Sequence, residues 1–131
     1  MANRTLTALV GFHDEGLLES TVALFGMYDY SVTGVKTIEE YLQKVREGPY
    51  DLYYMDVNLG KFGSSNPSAS VEVWGLVKER VEKEEAKFMA VTGNPEAISK
   101  AIERGIPKEN LAEKRQFSLA SFLKGQGLKH R

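Results

Sequence analysis

Four short apolar runs along the chain each end in polar residues, and helical patterns separate them. The runs cover residues 5–12, 50–56, 87–92 and, from its context, 110–113. Most are rich in β-branched or aromatic residues and bounded by polar or turn residues, as is typical of buried strands. Residues 29–34 alternate between polar and apolar, which predicts a fifth strand nearer the edge of the sheet.

Helical periodicity predicts five helices, one after each strand. Their apolar stripes are Leu18, Val22 and Phe25; then Ile38, Tyr41, Leu42 and Val45; then Val73, Trp74, Val77 and Val81; then Ile98, Ala101 and Ile102; and last Leu119, Phe122 and Leu123. We expect Trp74 to lie mostly in the core.

Capping residues predict where these helices begin and end. The Thr-Ile-Glu-Glu sequence at 37–40 predicts a capping box at the start of the second helix. Asn94 and Pro95 are the expected first residues of the fourth, and Gly105 is its expected stop. The last helix is predicted to begin near Ser118 and to end at the glycines at 125 and 127.

Five strand–helix units in succession predict an α/β fold with an open parallel sheet and helices on both faces. The length predicts a single domain over 1–131. Residues 58–69 are rich in Gly, Ser, Asn and Pro and predict a long loop beside the carboxyl edge of the sheet. The loop is either a tolerated insertion, which we favour, or a mobile lid.

Composition excludes several classes of protein. With 42% apolar and 27% charged residues, the chain is ordinary for a globular domain. A net charge of -1 argues against nucleic acid as a partner, and no apolar run is long enough to span a membrane. There are no cysteines, which excludes disulfides and thiolate metal sites. Without a signal-peptide pattern at the N-terminus, this favours a cytoplasmic protein.

Side chains suited to phosphoryl transfer follow four of the predicted strands. In a parallel sheet, Asp14, Asp56, Thr92 and Lys114 converge at one edge. A carboxylate such as Asp56 can act as a nucleophile on phosphorus, and two carboxylates suit a hard cation such as Mg²⁺. Lys114 can pair with a phosphoryl group, and the Thr92 hydroxyl can donate to it. Each residue alone is more often a cap, a packing residue or a solvated charge.

The ordered set of motifs resembles the receiver domain of two-component response regulators, over nearly the whole chain. The matching pieces are Phe12-His13-Asp14-Glu15, Tyr54-Met55-Asp56-Val57-Asn58-Leu59, Val91-Thr92-Gly93 and Glu113-Lys114. The resemblance implies a flavodoxin-like fold with strand order 2-1-3-4-5.

The resemblance also implies roles for particular residues. Asp56 would be phosphorylated from a phosphohistidine on a histidine kinase or phosphotransfer protein. Asp14, Asp56 and the backbone carbonyl of Asn58 would hold Mg²⁺, and Thr92 and Lys114 would contact the phosphoryl group. Phosphorylation would then bias the fourth helix, fifth strand and last helix toward an unknown target.

Two departures from the family lie at the site itself. His13 stands where the family usually has an acid that helps to hold the metal. Imidazole suits Zn²⁺ or Cu²⁺ better than Mg²⁺, so we expect weaker Mg²⁺ binding or a preference for Mn²⁺. His13 is either a metal neighbour or a hydrogen-bond partner of Asp14 or Asp56, with equal weight. Gly93 replaces the usual alanine beside the phosphoryl site and is small enough to keep it open.

Two further departures lie in and after the fifth strand. Arg115 follows Lys114 where the family usually has proline, often after a cis bond. Since a cis bond before a non-proline residue costs roughly 2.5–4 kcal/mol, a trans bond is expected here. Leu111 occupies the usual aromatic position, which puts the threonine–aromatic switch in doubt.

Three functional hypotheses follow. The first is a stand-alone receiver that is phosphorylated on Asp56, signals through its surface and is not an enzyme with an external substrate. The second is a receiver-like interaction module that is never phosphorylated, which His13, Leu111 and Arg115 favour. The third, a small doubly wound enzyme or nucleotide binder, is weaker because the chain has no G-x-G-x-x-G after the first strand and no Walker loop.

Overall fold

Residues 5–59, 66–114 and 117–128 are described by the computed structural model, and they form a parallel five-stranded sheet between two layers of helices. In chain order the elements are β1 (Leu6–Gly11), α1 (Glu15–Met27), β2 (Tyr30–Val35), α2 (Ile38–Glu47), β3 (Leu52–Asp56), α3 (Ser68–Glu82), β4 (Lys87–Thr92), α4 (Pro95–Glu103), β5 (Leu111–Glu113) and α5 (Leu119–Leu128). The strand order is β2-β1-β3-β4-β5, which confirms the predicted flavodoxin-like fold.

Alternation along the strands divides the core into two layers. Side chains of successive strand residues point to opposite faces of a sheet. In β3, Tyr53 and Met55 join the layer under α2, α3 and α4. Leu52 and Tyr54 join the layer under α1 and α5. The central strands β3 and β4 are covered on both faces, and their sequences are accordingly nearly continuous apolar runs.

Most predicted caps are present. The Glu40 amide donates to Thr37 Oγ1 at 3.1 Å. The Glu40 side chain accepts from the Lys36 amide at 3.2 Å, one residue before the amide expected in a capping box. Asn94 Oδ1 accepts from the Glu96 amide at 3.0 Å and begins α4. Gly105 follows α4 with a φ of +112°, the conformation for which a helix stop uses glycine.

Two expectations about the helices are wrong. Helix α5 continues through Gly125 and Gly127 to Leu128, because a glycine ends a helix only where the backbone turns to positive φ. Ile102 is 41% exposed, whereas Ala97 and Ala101 are fully buried. On a helix of 3.6 residues per turn, positions 97 and 101 share a face, and position 102 is rotated about 100° away.

Helix α3 begins inside the range predicted as a loop. Its first residue is Ser68, whose amide donates to Asn66 Oδ1 at 2.9 Å. Residues 60–65, the middle of the predicted loop, lie outside the described residues. No helix in the described part of the chain is long and apolar enough to cross a membrane.

Gly11 ends β1 at a point where there is no room for a side chain. A Cβ atom there would lie 2.5 Å from Tyr41 Cδ2 and 2.9 Å from Leu59 Cδ2. Tyr41 is fully buried, and its hydroxyl donates to the Leu9 carbonyl at 3.1 Å, which fixes the ring in place. Gly11 therefore allows α2 to pack close to the sheet beneath the site.

We expect Gly11→Ala to lower the free energy of unfolding by about 1–3 kcal/mol, because the new methyl group overpacks the Tyr41 ring. Urea denaturation followed by Trp74 fluorescence measures this. Gly93→Ala is the control, since a Cβ there meets nothing within 4 Å. This control is expected to be neutral or to stabilise by about 0.4–1 kcal/mol. Equal midpoints for Gly11→Ala and the parent would show that the Tyr41 ring is not fixed.

Candidate functional site

The register of the strands brings the predicted polar residues to one edge of the sheet. Gly11 in β1 pairs with Met55 in β3, so His13 and Asp14 follow at the same edge as Asp56. Asp56 pairs with Val91, which directly precedes Thr92. Thr92 in turn pairs with Glu113, which directly precedes Lys114. Residues distant in sequence thus surround one point at the carboxyl ends of four neighbouring strands, β1, β3, β4 and β5.

Asp56 and Lys114 form the central contact of the site. Lys114 Nζ lies 2.9 Å from Asp56 Oδ2, and the two side chains are 35% and 18% exposed. The Lys114 amide donates to the Thr92 carbonyl at 2.9 Å, which anchors its backbone to β4. Its ammonium also lies 5.4 Å from the centroid of the Phe12 ring. Contacts with Thr92 in β4 and with Phe12 after β1 therefore direct Lys114 at the carboxylate.

The backbone after Asp56 turns so that its carboxylate stays at the edge. The Val57 amide donates to the Val91 carbonyl at 2.8 Å, and the Leu59 amide donates to the Asp56 carbonyl at 3.2 Å. The Asn58 amide donates to Asp56 Oδ1 at 3.2 Å. Each carboxylate oxygen thus accepts one hydrogen bond and keeps a second lone pair for a further ligand.

Asp14 serves as the N-cap of α1. Its Oδ2 accepts a hydrogen bond from the Leu17 amide at 2.8 Å, which satisfies one of the unpaired amides of the first helical turn. Oδ1 of the same carboxylate does not take part in this cap. Both His13 and Asp14 are exposed. Within the described ranges, no three or more His, Cys, Asp or Glu side chains are grouped so that they can hold a metal.

Thr92 connects the site to α4. Its side chain is 2% exposed, and its Oγ1 accepts from the Asn94 amide at 3.1 Å. Asn94 is the N-cap of α4. The hydroxyl proton of Thr92 remains to be donated to another acceptor. A group that draws this hydroxyl would therefore act on the first turn of α4.

Comparison with solved structures identifies the fold of this chain. No family model and no curated protein sequence matches this chain. Solved structures do match. A CheY-like response regulator receiver domain from Methanospirillum hungatei JF-1 is 20% identical with a TM-score of 0.70, over 96% of this chain and 94% of that chain. The chain has the CheY-like receiver fold.

Two other matched structures were solved in chemically informative states. The beryllofluoride-activated NtrC4 receiver domain dimer is 22% identical with a TM-score of 0.65, over 95% of this chain and 98% of that chain. A response regulator from Burkholderia pseudomallei contains a phosphorylated aspartic acid, a calcium ion and citrate. It is 18% identical with a TM-score of 0.68, over 90% of this chain and 64% of that chain.

Two departures from the receiver pattern have different outcomes in the structure. Leu111 is 8% exposed and belongs to the core layer under α2, α3 and α4. The leucine that stands at the family's usual aromatic position is therefore a buried aliphatic side chain. Arg115 lies outside the described residues, so the expected trans bond between Lys114 and Arg115 stays a prediction.

Aromatic rings beneath the candidate site are a feature that sequence patterning missed. The Tyr54 ring packs edge-on against Phe12 with centroids 5.5 Å apart, and stacks on Phe117 at 6.2 Å. Burial, and then the negative charge of Asp56, raise the pKa of Tyr54 well above its usual value. Tyr54 therefore stays neutral beside the site. The sequence signal that could have revealed Tyr54 is its position two residues before Asp56, on the same strand face as Asp56 and opposite to Met55.

Proposed function

We propose that this protein is a response regulator receiver that accepts a phosphoryl group on Asp56. The observation that carries the proposal is the Asp56–Lys114 pair, 2.9 Å apart at the carboxyl edge of a receiver sheet. The phosphorylated aspartic acid in the Burkholderia pseudomallei structure supports it. The donor would be a phosphohistidine on a histidine kinase or phosphotransfer protein.

The transfer is an in-line displacement at phosphorus. An Asp56 oxygen forms the new P–O bond as the P–N bond to the donor imidazole breaks. The imidazole nitrogen keeps the electron pair and takes up a proton. Lys114 supplies positive charge, and it would move from the carboxylate to a phosphoryl oxygen as the anionic charge grows. Thr92 would donate its hydroxyl proton to another phosphoryl oxygen.

A divalent cation fits the donors at this edge. Asp14 and Asp56 provide carboxylate oxygens and Asn58 provides a backbone carbonyl, a hard set that suits Mg²⁺ or Mn²⁺ with several waters retained. When bound, such a cation neutralises charge on the phosphoryl oxygens. The cap formed by Asp14 Oδ2 leaves Oδ1 for the metal. With only two carboxylates, we propose that the cation binds weakly.

Phosphorylation would reach the protein surface through α4. A phosphoryl oxygen that draws the Thr92 hydroxyl would act on the Asn94 amide that now donates to it. Asn94 caps α4, so the first turn of that helix would respond. We therefore propose that the target binds the face made by α4, β5 and α5. We also propose that the protein has no external substrate and that it acts in the cytoplasm.

Two observations favour a second function, a receiver-like module that binds partners without phosphorylation. In the part of the chain that the structure describes, no group of three metal-binding side chains forms at the site, and the Asp14 carboxylate already caps α1. The two functions are separated by intact mass after incubation with acetyl phosphate and Mg²⁺ or Mn²⁺. A gain of one phosphoryl group supports the receiver.

We expect His13→Asp to bind Mg²⁺ about three- to tenfold more tightly than the parent, because a second carboxylate adds Coulomb attraction in a partly solvated site. Calorimetric titration with Mg²⁺ measures this. His13→Asn is the matched control, since it changes the size of the side chain without adding charge. Equal affinities for the two variants would place His13 away from the metal.

A further inference from the structure

An apolar groove lies between α1 and the side chains of Phe117 and Leu119 at the start of α5. Its volume is about 530 Å³, within the range of small-molecule sites. The side chains that line it are mostly apolar, among them Phe12, Leu17, Leu24 and Phe117. Tyr54 and Lys114 line it as well. The groove thus shares Lys114 with the acid site and extends away from it along α1.

The polar groups of this groove favour an anion. Among the described residues that line it, Lys114 is the one with a charge. An ammonium has three N–H donors, and Asp56 Oδ2 accepts one of them at 2.9 Å. Tyr54 is 5% exposed, and no residue within the described ranges accepts a hydrogen bond from its hydroxyl. A buried hydroxyl normally has a partner, and a ligand oxygen would supply one.

We propose that this groove binds a small amphipathic acid with a flat apolar body and one carboxylate. The body packs between Phe12, Leu24 and Phe117, whose aromatic and aliphatic surfaces suit a planar ring system. The carboxylate accepts hydrogen bonds from the Lys114 ammonium and the Tyr54 hydroxyl. This site goes beyond the proposed phosphorylation, and its binding does not require Asp56 to be modified.

Sharing Lys114 couples the two sites. A carboxylate in the groove competes with Asp56 for the ammonium, and a phosphoryl group on Asp56 competes with the ligand in turn. Coupling between two binding sites is reciprocal. The bound ligand therefore lowers the extent of metal-dependent phosphorylation, and phosphorylation of Asp56 lowers the affinity for the ligand.

Calorimetric titration of the full chain with naphthalene-1-acetate tests the site, and naphthalene-1-ethanol is the uncharged analogue of equal size. We expect the acid to bind roughly tenfold more tightly than the alcohol, since hydrogen bonds to charged groups are the stronger ones. Lys114→Met is expected to bind the acid and the alcohol with equal affinity, and to bind the alcohol as tightly as the parent does. Because Lys114 also belongs to the acid site, a second variant tests the groove independently.

Ala23→Trp places a large ring in the groove from an exposed position on α1. It is expected to abolish binding of both compounds. Ser99→Trp, at an exposed position on α4, is the matched control and is expected to bind like the parent. Equal affinities of acid and alcohol, no binding at millimolar concentration, or full binding to Ala23→Trp would each overturn the proposal. Self-association that Ala23→Trp disrupts would overturn it in favour of a second copy as the occupant.

Discussion

Asp56→Asn is expected to abolish the gain of one phosphoryl group that the parent shows after incubation with acetyl phosphate and Mg²⁺. The amide is a poor nucleophile and a weaker metal ligand, while its size preserves the turn after β3. Asp56 is the carboxylate that Lys114 contacts, at 2.9 Å. Intact mass spectrometry measures the phosphoryl group directly, with Mn²⁺ tested beside Mg²⁺.

Asp29→Asn is the matched control for this substitution. Asp29 is exposed and has a φ of 67°, a conformation that asparagine also tolerates. The Asp29→Asn variant should gain one phosphoryl group, as the parent does. A phosphoryl group still gained by Asp56→Asn would place the acceptor on another residue. A parent that gains no phosphoryl group with either metal would contradict the receiver function and support the interaction module.

Trp74→Ala is expected to lower the free energy of unfolding by about 3–5 kcal/mol, because removal of a large buried ring leaves a cavity. Trp74 is 6% exposed, in agreement with the predicted core position. Its ring packs on Phe88 with centroids 5.4 Å apart, which joins α3 to β4. Urea denaturation followed by circular dichroism measures the loss, since the variant has no tryptophan fluorescence.

Leu76→Ala, two residues along the same helix, is the control. Leu76 is 49% exposed, and exposed substitutions usually change stability by less than about 0.5 kcal/mol. A Trp74→Ala protein as stable as Leu76→Ala would show that the contact between α3 and β4 contributes little. A large loss in both variants would indicate that α3 as a whole is marginal.

The Asp14 cap would connect the proposed metal binding with the start of α1. One carboxylate oxygen holds the Leu17 amide at 2.8 Å, and we propose that the other faces the cation. Movement of Asp14 toward a metal would weaken the cap, and a typical cap contributes about 1 kcal/mol to helix stability. This competition gives a physical reason to expect weak Mg²⁺ binding in addition to the missing acid at His13.

Local patterns alone determined most of the secondary structure. The β-branched and aromatic run at 87–92 became β4 with the predicted bounds, and Asn94 with Pro95 began α4 as expected. These features depend on residues a few positions apart, whose hydrogen bonds and side-chain periodicity are local. Polar residues at the ends of successive strands also predicted a shared edge, because parallel strands with helical crossovers allow few arrangements.

Tertiary structure alone decided the contacts at the candidate site. The Lys114–Asp56 pair joins residues 58 positions apart, and its distance depends on strand register and on the anchoring of Lys114 to Thr92. The use of Asp14 as a cap, the exposure of Ile102 and the passage of α5 through Gly125 depend on how each backbone is held by its neighbours. The groove beside Tyr54 exists because α1 and the start of α5 lie over the same face of the sheet. Packing between distant elements, which local propensity does not encode, sets these features.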